Sequence, residues 1–158
     1  MIVRPVRQAD CATVGRLWEQ LVGYHRSLDD AMPQAAPDGG ERYAYRVESF
    51  LNDAHTRTYV AEIDGVIVGY VTGMILDMRP EMFVEEVSGM IGDIFVLETH
   101  RKQEVGKALV RAMEGFFASR GIRYYEWFVA TANVEGRAFW ETLGGRNVVT
   151  RMRAEIIE

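Results

Sequence analysis

The sequence predicts a mixed α/β (α+β) domain, and three features carry that prediction. Two runs rich in β-branched and aromatic residues flank Asp64-Gly65, a pair that favours a tight hairpin. A helical period then sets in between Val105 and Phe117. Strand-like and helix-like segments follow one another along the chain without internal repeat, low-complexity tract or linker, so residues 1–158 are expected to form a single domain.

Ile2 to Pro5 reads as a first strand. Behind Asp10, which stands where an N-cap is wanted, Val14, Leu17, Trp18, Leu21 and Val22 recur at helical spacing and define an amphipathic helix. Pro33, Pro37 and the Gly39-Gly40 pair make residues 27–40 a loop, and a second helix is expected from about Glu41 to Asn52. Thr58–Ile63 and Val66–Leu76 are the arms of the hairpin, and residues 79–86 connect it to a third long strand, Met90–Leu97. Val105, Ala108, Leu109, Ala112, Met113, Phe116 and Phe117 share one face of the next helix, which Gly121 stops. Tyr124–Ala130 reads as another strand. Asn133 suits the cap of a short helix carrying Phe139, Trp140 and Leu143 and ended by Gly144-Gly145, and Val148–Ile157 is expected to close the chain as one or two strands.

A chain of 158 residues, 48% of them hydrophobic, fills one core. With 18 Lys plus Arg against 23 Asp plus Glu, the formal charge is −5, which argues against an extended phosphate-backbone footprint and so against nucleic acid as a partner. A mildly acidic surface favours a cationic small molecule or a basic peptide instead. Cys11 is the only cysteine, so no intrachain disulfide forms, and beside Asp10 it reads as a small helix-packing residue. The opening residues lack a secretory pattern and charges or glycines break every apolar run, so a cytoplasmic protein with no membrane partner is expected. His25, His55 and His100 have no partners at ligand spacing, and no metal site is expected.

The chemistry concentrates where the strand Met90–Leu97 hands over to the helix. His100-Arg101-Lys102-Gln103-Glu104-Val105-Gly106-Lys107 puts a basic turn at a helix N-terminus, where unpaired amides and the positive end of the dipole attract an anion such as pyrophosphate. An ordinary solvated turn has the same composition, so this segment alone leaves both readings open.

Arg101-Lys102-Gln103-Glu104-Val105-Gly106 resembles the Arg/Gln-x-x-Gly-x-Gly/Ala pyrophosphate loop of the GNAT acetyltransferases. Asn133-x-x-Gly136-x-x-Phe139-Trp140-Glu141-x-Leu143-Gly144 is similar to the closing pattern of the same family. Val3-Arg4-Pro5, Trp18-Glu19-x-Leu21 and Tyr24-His25 with Leu28-Asp29 resemble the opening of a common bacterial subgroup, so the resemblance covers essentially the whole chain. It implies the GNAT acyl-CoA N-acyltransferase fold, a central, mostly antiparallel, splayed sheet flanked by helices. Its parting strands, here Ile91–Val96 and Tyr124–Ala130, would admit the pantetheine arm of acetyl-CoA as co-substrate. The resemblance further implies that the backbone of Ile94, Phe95 and Val96 pairs with that arm and that an N–H near Phe95 polarises the thioester. Arg101, Lys102, Gln103, Glu104, Val105, Gly106 and Lys107 would hold the pyrophosphate, with Asn133, Phe139 and Trp140 lining the coenzyme. The implied reaction is direct transfer of acetyl to a primary amine of a small molecule or peptide in a ternary complex. A homodimer is compatible with the family, and nothing in the sequence locates its interface.

Two residues depart from the family pattern. Glu104 stands where glycine is usual, and a carboxylate about 5 Å from a phosphate charge would cost roughly 3 kcal/mol at an effective dielectric near 20 unless it turned away. Turned to solvent, it favours the first helical turn by about 0.3–1 kcal/mol. Trp140 stands where many members carry a tyrosine that protonates the leaving thiolate, and an indole cannot act as an acid near neutral pH. It serves as a wall of the pantetheine channel or as an ordinary core aromatic. Asp93, in Ile91-Gly92-Asp93-Ile94-Phe95-Val96, resembles the acid that diamine- and aminoglycoside-acetylating relatives present to the amine, which makes it the candidate base and substrate contact. Glu126 is the second carboxylate, and Tyr24 and His25 are candidates for lining the acceptor site. The two departures also motivate an alternative, a non-catalytic acyl-CoA-binding or interaction domain of the same fold.

Overall fold

The computed structural model of the chain describes residues 1–157. The elements, in order, are β1 (Ile2–Pro5), α1 (Cys11–Leu28), α2 (Gly39–Ser49), β2 (Thr56–Ile63), β3 (Val66–Leu76), β4 (Ser88–Val96), α3 (Val105–Ser119), β5 (Tyr125–Trp127) and α4 (Val134–Thr142). They fall into two compact units, Met1–Phe128 and a second that starts at Val129.

The first unit holds a five-stranded sheet in the order β1-β2-β3-β4-β5, antiparallel throughout except for the parallel pair β4–β5. The hairpin turns on Asp64 and Gly65, with φ of 50° and 79°, the two left-handed residues of a type I′ turn. On one face of the sheet, Cys11, Val14, Leu17 and Leu21 of α1 and Val47 of α2 pack with Val60, Tyr70 and Phe95. On the other face lies α3, whose apolar stripe buries Leu109, Val110, Met113, Phe116 and Phe117. That helix sits so close that a Cβ on Gly89 of β4 would stand 2.7 Å from the Phe117 ring. Ile122 N–H reaches back to the Phe117 carbonyl and Gly121 turns with φ of 74°, so the helix ends at the glycine the sequence marks.

The register of β3 against β4 decides what faces what. Tyr70 pairs with Phe95 and Thr72 with Asp93, but Gly73 pairs with Ile91, leaving Gly92 as an extra residue in β4. This bulge reverses the alternation of β4. Asp93 and Phe95 lie on the α1 face with Thr72 and Tyr70, whereas Ile91, beyond the bulge, joins Gly73 on the α3 face. Beside the bulge the sheet opens: β5 pairs with β4 only through Gly89↔Tyr125, Met90↔Glu126 and Ile91↔Trp127.

In the second unit, the Asn133 side chain accepts the Gly136 N–H at 2.9 Å and caps α4, as the sequence predicts. Gly144, with φ of 85°, and Gly145, whose N–H reaches the Trp140 carbonyl, close that helix.

Three expectations need correction. Asp10 occupies the cap position of α1 without capping it, because its carboxylate turns back to the Arg7 N–H and to the Arg4 guanidinium. The strand expected at Tyr124–Ala130 narrows to Tyr125–Trp127, since the pairing with β4 stops at Ile91. No strand forms in Val148–Ile157, where Val148, Val149, Met152, Ile156 and Ile157 stand exposed. Strand propensity there is unmet because a strand exists only where its backbone finds a partner. No helix among the described residues is long and apolar enough to cross a membrane.

Candidate active site

The open edge of β4 is defined by its backbone. Leu97 N–H donates to the Val68 carbonyl on β3, so strand alternation turns Phe95 toward β3 as well and leaves the N–H and C=O of Ile94 and Val96 on the side that β5 vacates. Phe95's own amide is therefore a β3 ladder group. The amides available for a ligand are its two neighbours.

At the start of α3, Ala108 N–H is the first to find a helical acceptor, the Glu104 carbonyl, at 2.9 Å. The preceding amides, those of Val105, Gly106 and Lys107, point out of the helix end, where the dipole adds positive potential. Lys102 and Glu104 both adopt left-handed backbone, with φ of 61° and 63°. That conformation accounts for a glycine preference at such a position, and a glutamate holds it at a cost of about 1–2 kcal/mol. The Glu104 carboxylate is exposed and accepts from Lys107 Nζ at 2.9 Å.

Arg101 leans back onto the end of β4 and onto α1. Its Nε donates to the Val96 carbonyl at 3.2 Å, and its guanidinium lies 4.9 Å from the Tyr24 ring centre and 5.7 Å from that of Phe95. These residues line a cavity of about 310 Å³ with Gln20 and Glu98. Its walls come from the C-terminal half of α1, the end of β4 and the turn after it.

Asp93 is partly buried under α1 and α2. Its N–H donates to Thr72 Oγ1 at 3.1 Å, and its Oδ2 accepts from the Tyr43 hydroxyl at 2.8 Å. Burial pushes its carboxyl above the usual range, while the Tyr43 hydrogen bond and the charges of His25 and Arg46 pull the other way. Burial lowers His25, and Asp93 partly restores it. The Tyr43 phenol is pushed well up, chiefly by burial and then by the Asp93 charge. Tyr70, fully buried with its ring edge-on to Tyr43, is pushed up chiefly by burial and then by Tyr43 and Asp93, and its hydroxyl is the one buried side-chain polar atom without a geometric hydrogen-bond partner among the described residues.

His25 lies close enough to Asp93 for their charges to interact, and the Tyr24 ring stands beside that of His25 at 5.9 Å. Glu126 is level with Met90, on the paired stretch before the sheet opens. Asn133, Phe139 and Trp140 belong to the second unit, where Trp140 is buried and packs edge-on against Phe139 at 5.1 Å. Sequence reading missed Tyr43, Thr72 and Tyr70. Tyr43 lies in a helix fifty residues before Asp93, and the other two share a face with Asp93 only through the β3–β4 register.

The family model of the acetyltransferase (GNAT) family matches residues 21–144. The chain belongs to that family. Solved structures share the GNAT fold. A mutant of the BH1408 protein from Bacillus halodurans superposes with a TM-score of 0.87 at 20% identity, covering 99% of this chain and 100% of that one. The aminoglycoside N-acetyltransferase AAC(6')-Iy in complex with CoA gives 0.73 at 20% identity, with 97% and 95% covered. The aminoglycoside antibiotic 6'-N-acetyltransferase AAC(6')-IG from Acinetobacter haemolyticus gives 0.71 at 17%, with 99% and 100% covered. No curated protein sequence matches the chain at a significant level. Within the GNAT fold, the β4 bulge and the three-pair contact with β5 are the features that open the sheet here.

Proposed function

We propose that the protein is an acetyl-CoA-dependent N-acetyltransferase that acetylates a primary amine of a small molecule or peptide in a ternary complex. The observation that carries this reading is the opening of β4 from β5 after Ile91, which leaves the Ile94 and Val96 amides without a strand partner next to a half-buried carboxylate, Asp93. Free amides at Val105, Gly106 and Lys107 suit a diphosphate, and Lys107 offsets the Glu104 charge beside them. Residues 1–158 then form one functional domain, a reading supported by a family match that runs from one unit into the other. A cytoplasmic location fits, since the coenzyme must reach the site.

Acetyl-CoA supplies an activated acyl group and a thiolate that can leave. The chain's part is to bind, orient and move protons. Asp93 attracts the ammonium form of the acceptor and takes its proton, directly or through water, so that a neutral amine can attack. The Ile94 or Val96 N–H is aimed where the carbonyl oxygen gathers charge. The C–N bond forms as the C–S bond breaks, the amine's remaining surplus proton leaves, and the thiolate is protonated from water or by that same proton. The Trp140 indole N–H is not acidic enough to protonate the thiolate near neutral pH. Asn133, Phe139, Trp140 and the turn residues Arg101, Lys102 and Gln103 are kept as proposed coenzyme contacts on the strength of the family motifs, and Tyr24, His25 and Glu126 as acceptor contacts.

Calorimetry with acetyl-CoA, followed by thiol release with polyamines, aminoglycosides, amino acids and peptides, tests the reading. Heat on binding, a thermal upshift and thiol release with at least one amine are expected. Binding with no release from any amine favours a non-catalytic acyl-CoA-binding domain, and no binding at all removes both.

A further inference from the structure

Asp93 is held at two points, neither of them on its own strand. Its main chain is fixed by Thr72 Oγ1 and its Oδ2 by the Tyr43 hydroxyl, which also lies 3.4 Å from Thr72 Oγ1. No protein hydrogen bond reaches Oδ1 among the described residues. The Tyr43 ring is itself clamped, stacked on Trp18 at 5.1 Å and 13° and edge-on to Tyr70 at 6.1 Å. A phenol so fixed has little freedom to follow any other partner.

We propose that Tyr43 is the positioning residue of the acceptor site: it ties one oxygen of Asp93 so that the other is presented to the substrate ammonium. This rests on the reading of Asp93 as the acceptor carboxylate. The β4 bulge at Gly92 brings Asp93 to the α1 face, α2 brings Tyr43 down upon it, and Thr72 supports the contact from β3. The groups facing Asp93 are His25 from α1, Tyr43 and Arg46 from α2, and Tyr70 and Thr72 from β3. Tyr43 is the one that touches the carboxylate by a charge-assisted hydrogen bond, which both orients the anion and favours it over the acid. Because its phenol stays protonated over the working range, Tyr43 donates throughout and takes no part in proton transfer.

Tyr43→Phe keeps the ring stack and removes the bond. Its kcat should fall about 10- to 100-fold with little change in coenzyme KM, and the acidic limb of its kcat/KM profile should move up by about one pH unit as the Asp93 anion loses its donor. Fluorotyrosine at 43, a stronger donor of the same shape, should move that limb the other way. An unshifted limb in both proteins, with only the melting temperature changed, overturns the proposal and leaves Tyr43 a packing residue. Asp93→Asn separates the two layers: if it retains native turnover, the reading of Asp93 fails and Tyr43 falls with it. If Asp93→Asn is inactive while the limb stays put in the Tyr43 variants, only the positioning role fails.

Discussion

Asp10 and Asp93 are both carboxylates drawn out of water, yet the fold treats them in opposite ways. Asp10 accepts Arg4 Nη1 at 2.7 Å, Arg4 Nη2 at 3.2 Å and the Arg7 N–H at 2.8 Å, and Arg4 also holds Glu62. The Arg4 hydrogen bond outweighs burial and holds the Asp10 carboxyl below its ordinary range. Asp93 accepts a single bond from a neutral phenol, burial wins, and its carboxyl rises. A withdrawn carboxylate with all its partners inside the fold is structural. One left short of partners is poised for something that arrives from outside.

Asparagine at each position should separate the two most sharply. Asp93→Asn is expected to cost roughly 10²- to 10⁴-fold in turnover, read by thiol release at neutral pH, the range over which a positioned general base contributes. The same variant should melt above the native protein at neutral pH. Because the Asp93 carboxyl is raised in the folded state, its contribution to stability is full below the unfolded value of about 3.9 and is lost as pH rises through the folded value. The gain in melting temperature should therefore vanish in acid. An Asn variant that is both active and no more stable would erase the contrast.

Asp10→Asn should do the reverse, keeping turnover while losing about 1.5–3 kcal/mol of stability as the charge-assisted hydrogen bonds from Arg4 and the Arg7 N–H are weakened. Its carboxyl is depressed, so the stability it provides is present above about pH 3.9 and fades as pH falls toward the folded value. Melting curves from pH 7 to pH 3 should converge for native and variant.

Glu104 offers a third environment, an exposed carboxylate on a strained backbone. Glu104→Gly should gain about 1 kcal/mol, or a few degrees of melting temperature, by relieving a left-handed glutamate, with little lost from an exposed ion pair to Lys107. Coenzyme affinity measured by calorimetry should improve by less than about tenfold, because the carboxylate is exposed and Lys107 already offsets its charge. A much larger gain would mean that the acid reaches the diphosphate after all.

The hairpin at Asp64-Gly65, the stripe of α3 and its glycine stop, and the Asn133 cap were legible because each depends on residues a few positions apart. The same locality exposed the basic turn at residues 101–107 and the motif around Asn133, and with them the family. Asp93 was legible as a residue type in a motif, but not its face, its partner or its charge state. Those depend on the extra residue at Gly92, on the pairing of Thr72 with Asp93 and on a helix fifty residues earlier that lowers Tyr43 onto the carboxylate. The missing terminal strand at Val148–Ile157 and the shortened β5 miss for the same reason, since β-propensity says what could pair and not what is there to pair with. Sequence alone determined the periodic elements, their stops and the basic turn at the start of α3, where neighbouring residues supply the free energy. Register, burial and the hydrogen bond on Asp93 were decided only when distant segments met, because desolvation and strand pairing are properties of the assembled neighbourhood and not of any one residue.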